Sequence, residues 1–284
     1  MDVLITGGAG TIGTAITDHL GDHEAYSFTS LDVTEHPDSA VASVVADATD
    51  AAVVREHVAA ADAVVHLARV DMDSGGPSDQ RVAWSEEHLE NLRLHASVYE
   101  AALDTGLDTF VYASSNHAVG LYEVQNAPDI YYGSNVEVDH TVQPRPDSMY
   151  GVEKVYGEGL GRLAAESSDC SVYALRICAV RDERYDHPYG DAERGVDEGW
   201  FERESEAYDE QVARMGSMWQ SRRDIAHMVE CCLADETVEF DVFYGVSDNA
   251  TRWFDIDHAR TVLGYQPRDS ADEWDAPPNS APSE

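Results

Sequence analysis

Lysine is all but missing from this chain. Of its 18 basic residues, 17 are arginine, and Lys154 is the single lysine. Against them stand 55 acidic residues, which sets the formal net charge at -37. A surface so poor in positive charge repels nucleic acid and anionic membranes, and both are excluded as partners. Long apolar runs are missing as well, and none approaches the roughly 18 residues that a membrane span needs. Met1 leads straight into a strand-like segment with no basic, apolar leader, so a cytoplasmic location is expected. Cysteine is scarce. Cys170, Cys178, Cys231 and Cys232 lack metal-site spacing, and the adjacent pair cannot easily bridge. They are expected to be reduced core residues, and no metal centre is expected.

The remainder of the composition is that of a folded protein. With 284 residues, 43% of them apolar, the chain can bury a sizeable core, enough for one large α/β domain or a dinucleotide-binding domain with an appendage. Its acidic residues are spread along the whole length instead of forming a tail. At physiological salt they repel one another, whereas in molar salt the screening length falls to about 3 Å. That distribution reads as halophilic, an adaptation to a very salty cytoplasm.

Strand-like and helix-like segments alternate. Strands are expected at 2–6, 26–31, 41–46, 63–67, 109–113, 171–177 and 241–246, with helices at 11–20, 51–60, 85–105, 147–167, 224–234 and 256–263. This alternation implies βαβ units and a doubly wound parallel sheet, a Rossmann-type α/β fold. The expected division is a dinucleotide-binding core over 1–177 and a small substrate-binding part over 178–267. The latter carries a weakly periodic insertion at 181–213, and a flexible tail follows at 268–284. Trp84, Trp200 and Trp219 are read as packing residues.

After the first strand comes Gly7-Gly8-Ala9-Gly10-Thr11-Ile12-Gly13, with a helix opening inside it. Glycine lets a backbone turn sharply and approach a pyrophosphate, and a helix N-terminus offers N–H groups and partial positive charge. Gly7, Gly10, Thr11, Ile12 and Gly13 are therefore candidate cofactor residues. Asp32 follows the second strand, 19 residues beyond Gly13. An acid there accepts hydrogen bonds from the ribose hydroxyls and repels a 2′-phosphate. No lysine or arginine occurs from Met1 to Val54, so NAD is expected over NADP. Asp47, with Ala48 beside it, is placed to meet the adenine.

Tyr150 and Lys154 stand at i and i+4, on one face of a helix. A free phenol, with a pKa of roughly 10, is a poor base at neutral pH. A neighbouring ammonium favours the phenolate and typically shifts such a pKa by about one to three units. Tyr150 could then take a proton from a substrate hydroxyl as hydride leaves for a nicotinamide. Upstream, Ser114-Ser115-Asn116-His117 closes a strand at the sheet edge where ligands bind, and Ser115 can donate to a substrate oxygen.

Gly7 to Gly13, Val64-Val65-His66-Leu67-Ala68, Ser115, Tyr150 and Lys154 together resemble the extended short-chain dehydrogenase/reductase family, also called the NAD-dependent epimerase/dehydratase family. Within it, Ser114 to His117 and Arg145 to Gly151 are most similar to uronate dehydrogenases and to the NAD-dependent glucose-6-phosphate dehydrogenases of halophilic archaea. The resemblance implies oxidation of a sugar at its anomeric carbon to a lactone. It implies Tyr150 as base with Lys154, and Ser115, Asn116 and His117 on the sugar. Arg214, five residues before Trp219, matches the family's substrate arginine. Asn91 matches the helix asparagine that holds active-site backbone or a relay water, and Leu67, Ala68 and Arg69 fall beside the cofactor. A homodimer or homotetramer is implied too, and close helix packing at such an interface would account for Gly157 and Gly161.

Three departures touch the substrate half: Arg69 where a small residue is usual, Cys178-Ala179 after Arg176-Ile177, and the 181–213 insertion. A nucleotide-sugar epimerase or dehydratase would share the loop, serine, tyrosine and lysine. Against it stand the short C-terminal part and the Ser-Asn-His run. A dinucleotide-sensing protein without turnover is the other alternative, and such proteins commonly lose the Tyr/Lys pair.

Overall fold

The computed structural model describes residues 1–70 and 85–278, so Trp84 and the end of the tail lie outside the described residues. Seven strands form one sheet, all of them parallel: β1 (Asp2–Thr6), β2 (Ser27–Asp32), β3 (Ala42–Val45), β4 (Ala63–His66), β5 (Thr109–Ser115), β6 (Ser171–Ile177) and β7 (Phe240–Gly245). Their order is β3-β2-β1-β4-β5-β6-β7. The connections run one way from β1 to β3 and the other way from β4 onward. The crevice at the carboxyl ends of β1 and β4 is therefore the topological switch point, where such sheets bind ligands.

The principal helices are α1 (Thr11–Leu20), α2 (Ala51–Val58), α3 (Glu86–Thr105), α4 (Leu121–Asn126), α5 (Met149–Ser167), α6 (Gly190–Asp197), α7 (Glu206–Met218), α8 (Arg222–Ala234) and α9 (Asp257–Leu263). Every residue of β4 and β5 is buried, as a sheet covered on both faces demands. Alternate strand residues feed two cores. Val3, Ile5, Val65 and Val111 pack against α1 and α8, while Leu4, Val64, Phe110 and Tyr112 pack against α2, α3 and α5. Side-chain caps fix the helix starts: Asp50 accepts from Ala52 and Val53 before α2, Ser148 from Gly151 before α5, and Ser221 from Asp224 before α8.

The C-terminal part is less separate than its sequence implies. Strand β7 pairs with β6 in the same sheet, and α8 covers the face that α1 covers. Residues 181–213 hold α6 and most of α7, and Arg181 forks onto Asp191 across them. Residues 268–278, expected to be loose, are tied down. Asp269 accepts from Ser221 and Arg223, and Trp274 stacks 5.6 Å from His187. Trp219 is buried, whereas Trp200 stands half exposed and does not serve as a core residue.

Gly157 and Gly161 face inward, not toward a second copy. A Cβ on Gly157 would stand 2.1 Å from the Tyr112 ring, and one on Gly161 would stand 2.9 Å from the Tyr99 hydroxyl. Helix α5 lies this close to the sheet because its inner face has no side chains there. A buried ion pair holds it in place. Glu158 accepts from Arg176 Nε at 2.8 Å and Nη2 at 2.9 Å, and from Ser114 Oγ at 2.6 Å, while Arg176 also donates to the Tyr244 hydroxyl. Removing one partner of such a pair strands a buried charge, which costs about 3–5 kcal/mol. The network thereby locks the helix that carries Tyr150 and Lys154 to the strand that ends in Ser115.

Candidate active site

The loop after β1 has the shape of an anion cradle. Gly7 has φ +73°, and a Cβ there would lie 2.8 Å from the Ala68 backbone nitrogen. A Cβ on Gly13 would lie 2.2 Å from the Gly8 carbonyl oxygen. The chain passes where no side chain fits, and α1 begins at Gly10 with no side chain capping it. Its first-turn N–H groups are thus available to a phosphate. Asp32 extends from the end of β2, with Oδ2 accepting from Ala9 N–H at 3.1 Å and Oδ1 from Thr34 N–H at 3.2 Å. These features fit a dinucleotide, with the pyrophosphate on α1 and the adenosine ribose at Asp32. Asp47 is exposed and bonds the Thr49 N–H at 2.8 Å, while Ala48 is buried. Asp32→Ala is expected to narrow a preference for NAD over NADP by about tenfold or more, because a carboxylate opposes the extra phosphate. Initial rates with both cofactors measure it, and a wild type with higher kcat/KM for NADP would overturn the assignment.

From this loop a cleft of about 260 Å³ runs along the strand ends. Ile12, Leu67, Ser115, Tyr150 and Lys154 line it, together with Asn116, His117 and Arg214. Ser115 ends β5, and its Oγ accepts from the His117 N–H at 3.2 Å. His117 is oriented by Asp147, which meets Nδ1 at 2.8 Å, and its ring lies 5.5 Å from that of Tyr150. Lys154 donates to the Ala113 carbonyl at 2.8 Å, with Nζ 5.4 Å from the centre of the Tyr150 ring. Asn91 stands apart from the cleft. It is fully buried and clamps the backbone of Val70, accepting from its N–H at 2.8 Å and donating to its carbonyl at 3.3 Å.

Burial moves both groups of the Tyr150–Lys154 pair toward their neutral forms. It raises Tyr150 above the usual phenol value, opposed by a hydrogen bond to Ser115 and by the Arg69 guanidinium. It pushes Lys154 down to about 7, with Arg69 adding to the fall. Arg69, whose Cζ lies 4.7 Å from the Tyr150 ring centre, is a second cation beside the phenol and favours the phenolate. Sequence spacing reports which residues share a helix face; it does not report how far burial discharges a lysine.

Arg214 lines the cleft but is already engaged. Its guanidinium forks onto Glu123, a buried residue of α4 that also accepts from the Tyr131 hydroxyl at 2.9 Å. Arg181, which the sequence reading passed over, also lines the cleft and is matched by Asp191. The sequence reading missed His88 and Glu153 too, which are hydrogen-bonded to each other in the interior behind Tyr150. Glu153 stands inside the Tyr150–Lys154 segment, yet nothing in so acidic a chain marks one glutamate as buried.

The sequence pattern of the NAD dependent epimerase/dehydratase family matches residues 3–234. The chain is 36% identical to an NAD-dependent glucose-6-phosphate dehydrogenase of Haloferax volcanii, over 96% of this chain and 95% of that one. It is 29% identical to an L-arabinose 1-dehydrogenase (NAD(P)(+)) of the same organism, over 95% of this chain and 97% of the relative. Among solved structures, the glucuronic acid dehydrogenase of Chromohalobacter salexigens is similar, with TM-score 0.71 and 27% identity. That likeness covers 96% of this chain and 86% of that one.

Proposed function

The chain belongs to the NAD-dependent epimerase/dehydratase family, and on that footing we propose that it oxidises the anomeric C1 hydroxyl of an aldose, a sugar phosphate or a uronate to the lactone. It is an NAD-dependent oxidoreductase of the sugar dehydrogenase kind. The meeting of Ser115, Tyr150 and Lys154 in one cleft beside the glycine loop supports oxidation of a sugar hydroxyl, and the likeness to an L-arabinose 1-dehydrogenase supports its placement at C1.

Bound NAD supplies the acceptor for the hydride leaving C1. The remaining work is the protein's. Ser115 donates to the sugar oxygen and steadies its developing charge. Tyr150 takes the hydroxyl proton, and Lys154, whose pKa burial lowers to about 7, exchanges protons readily near neutral pH and can pass it onward. Leu67 and Ile12 cover the cleft's apolar side.

Incubation with NAD and a panel of neutral aldoses, sugar phosphates and uronates in molar KCl, followed by absorbance of the reduced cofactor, tests the reading. No reduction with any sugar would sink it, and a product other than the lactone by NMR would remove the C1 assignment. A homodimer or homotetramer remains part of the proposal. Val152, Tyr156 and Leu163 stand exposed on α5, apolar surface that a second copy would cover. The cytoplasmic placement is supported by four free, buried cysteines, and among the described residues no helix is long and apolar enough to cross a membrane.

A further inference from the structure

The cleft collects five cationic or ionisable nitrogen side chains, and four of them have partners. Arg214 is matched by Glu123 and Arg181 by Asp191. His117 is held by Asp147, and Lys154 donates to the Ala113 carbonyl. Arg69 is different. Its Nε is buried with no hydrogen-bond partner, and none of its guanidinium nitrogens is hydrogen-bonded among the described residues. The nearest carboxylate oxygen, Glu153 Oε2, lies 3.8 Å from Nε, beyond hydrogen-bond range, while His88 holds the other oxygen. The side chain keeps 29% of its surface exposed, against 1% for Glu153, so the charge is anchored from behind and open to the cleft.

We propose that Arg69 is the anion-binding residue of the substrate site, taking the phosphate or carboxylate of an anionic sugar whose reacting hydroxyl lies at Tyr150. This rests on the sugar dehydrogenase reading and names the substrate class within it. Arg69 lies over the Tyr150 ring, 4.7 Å from its centre, so one sugar can touch both. A guanidinium with free N–H groups binds such oxyanions in bidentate fashion. In molar salt the distant surface charge is screened, so what an anion meets in the cleft is the group in direct contact with it, and Arg69 is a cation lining that cleft. The assignment also moves the anion site away from Arg214, whose charge Glu123 already balances.

Arg69 stands between the sugar site and the cofactor loop, so a cofactor phosphate is the other source of the same chemistry. Two variants, Arg69→Gln and Arg69→Lys, compared with the wild type in molar KCl, separate the two. The measured quantity is the ratio of kcat/KM for glucose 6-phosphate to that for glucose, in which any common effect through Tyr150 cancels. It is expected to fall about tenfold to a hundredfold in Arg69→Gln, the span of one hydrogen bond to a charged group, and to recover in part in Arg69→Lys. The Kd for NAD, by fluorescence titration without sugar, is expected to stay within about twofold. An unchanged ratio would overturn the proposal, and so would a loss that falls on NAD affinity, which would assign Arg69 to the cofactor. A wild type that oxidises no sugar would defeat the dehydrogenase reading alone. Phosphorus NMR line broadening of glucose 6-phosphate by the NADH-bound protein would then decide the anion site: weaker broadening by Arg69→Gln supports it, and equal or absent broadening overturns it.

Discussion

Tyr150→Phe is expected to lower kcat for sugar oxidation by roughly 10²–10⁴-fold while NAD binds as before, because only the proton acceptor is removed. The ring itself stays: it lies 4.7 Å below the Arg69 guanidinium and 5.5 Å from the His117 ring, and neither contact involves the hydroxyl. The variant therefore folds with its cleft intact. The pH profile carries the same information. Burial raises Tyr150 above its ordinary value, and oxidation needs the base form, so wild-type kcat/KM should climb as pH rises through the alkaline range. Tyr150→Phe should lose most of that climb. Turnover within tenfold of wild type would assign proton removal to another group, and His117, oriented by Asp147, would be the first to replace next.

Transfer from molar salt to dilute buffer is expected to abolish both activity and near-UV circular dichroism. The chain carries 55 acidic residues against 18 basic ones. Several of the arginines are spent in internal pairs, such as Arg176 with Glu158 and Arg214 with Glu123. Arginines that do reach the surface, such as Arg55, Arg162 and Arg184, are far outnumbered there by carboxylates. At 0.15 M salt the screening length is about 8 Å, comparable to the spacing of surface charges, and at 1 M it falls to about 3 Å. Repulsion acts on the compact state more than on the expanded one, so folding weakens as screening is withdrawn. Stepwise dialysis with activity assayed at each salt concentration measures the effect. Full retention of signal and activity at 0.1 M would overturn the halophilic reading.

The parallel sheet was legible because strands buried on both faces are nearly continuous apolar runs, as in Ala63-Val64-Val65, and because a glycine loop interrupts one at its end. The Tyr150–Lys154 pair was legible because i, i+4 spacing fixes a shared helix face whatever surrounds it. Burial and pairing were not legible. Glu158 and Glu153 read as two more acids among many, yet one anchors Arg176 and the other lies behind Arg69. Gly157 and Gly161 signalled close packing, but the partner proved to be tyrosines and strand residues of the same chain.

The sequence by itself determined the fold class, and it supplied the glycine loop with Asp32 and the Tyr150–Lys154 pair as the candidates for cofactor binding and catalysis, because each depends on local spacing along the backbone. Only the tertiary structure decided which cleft arginine has no hydrogen bond among the described residues. Arg69, Arg181 and Arg214 are alike as letters, and carboxylates abound near each of them in sequence or space. Arg181 and Arg214 are hydrogen-bonded to carboxylates 10 and 91 residues away, while Arg69, over the Tyr150 ring, has no hydrogen bond among the described residues. That distinction is a matter of hydrogen-bond range across the fold, where 3.8 Å leaves a charge available and a direct bond does not.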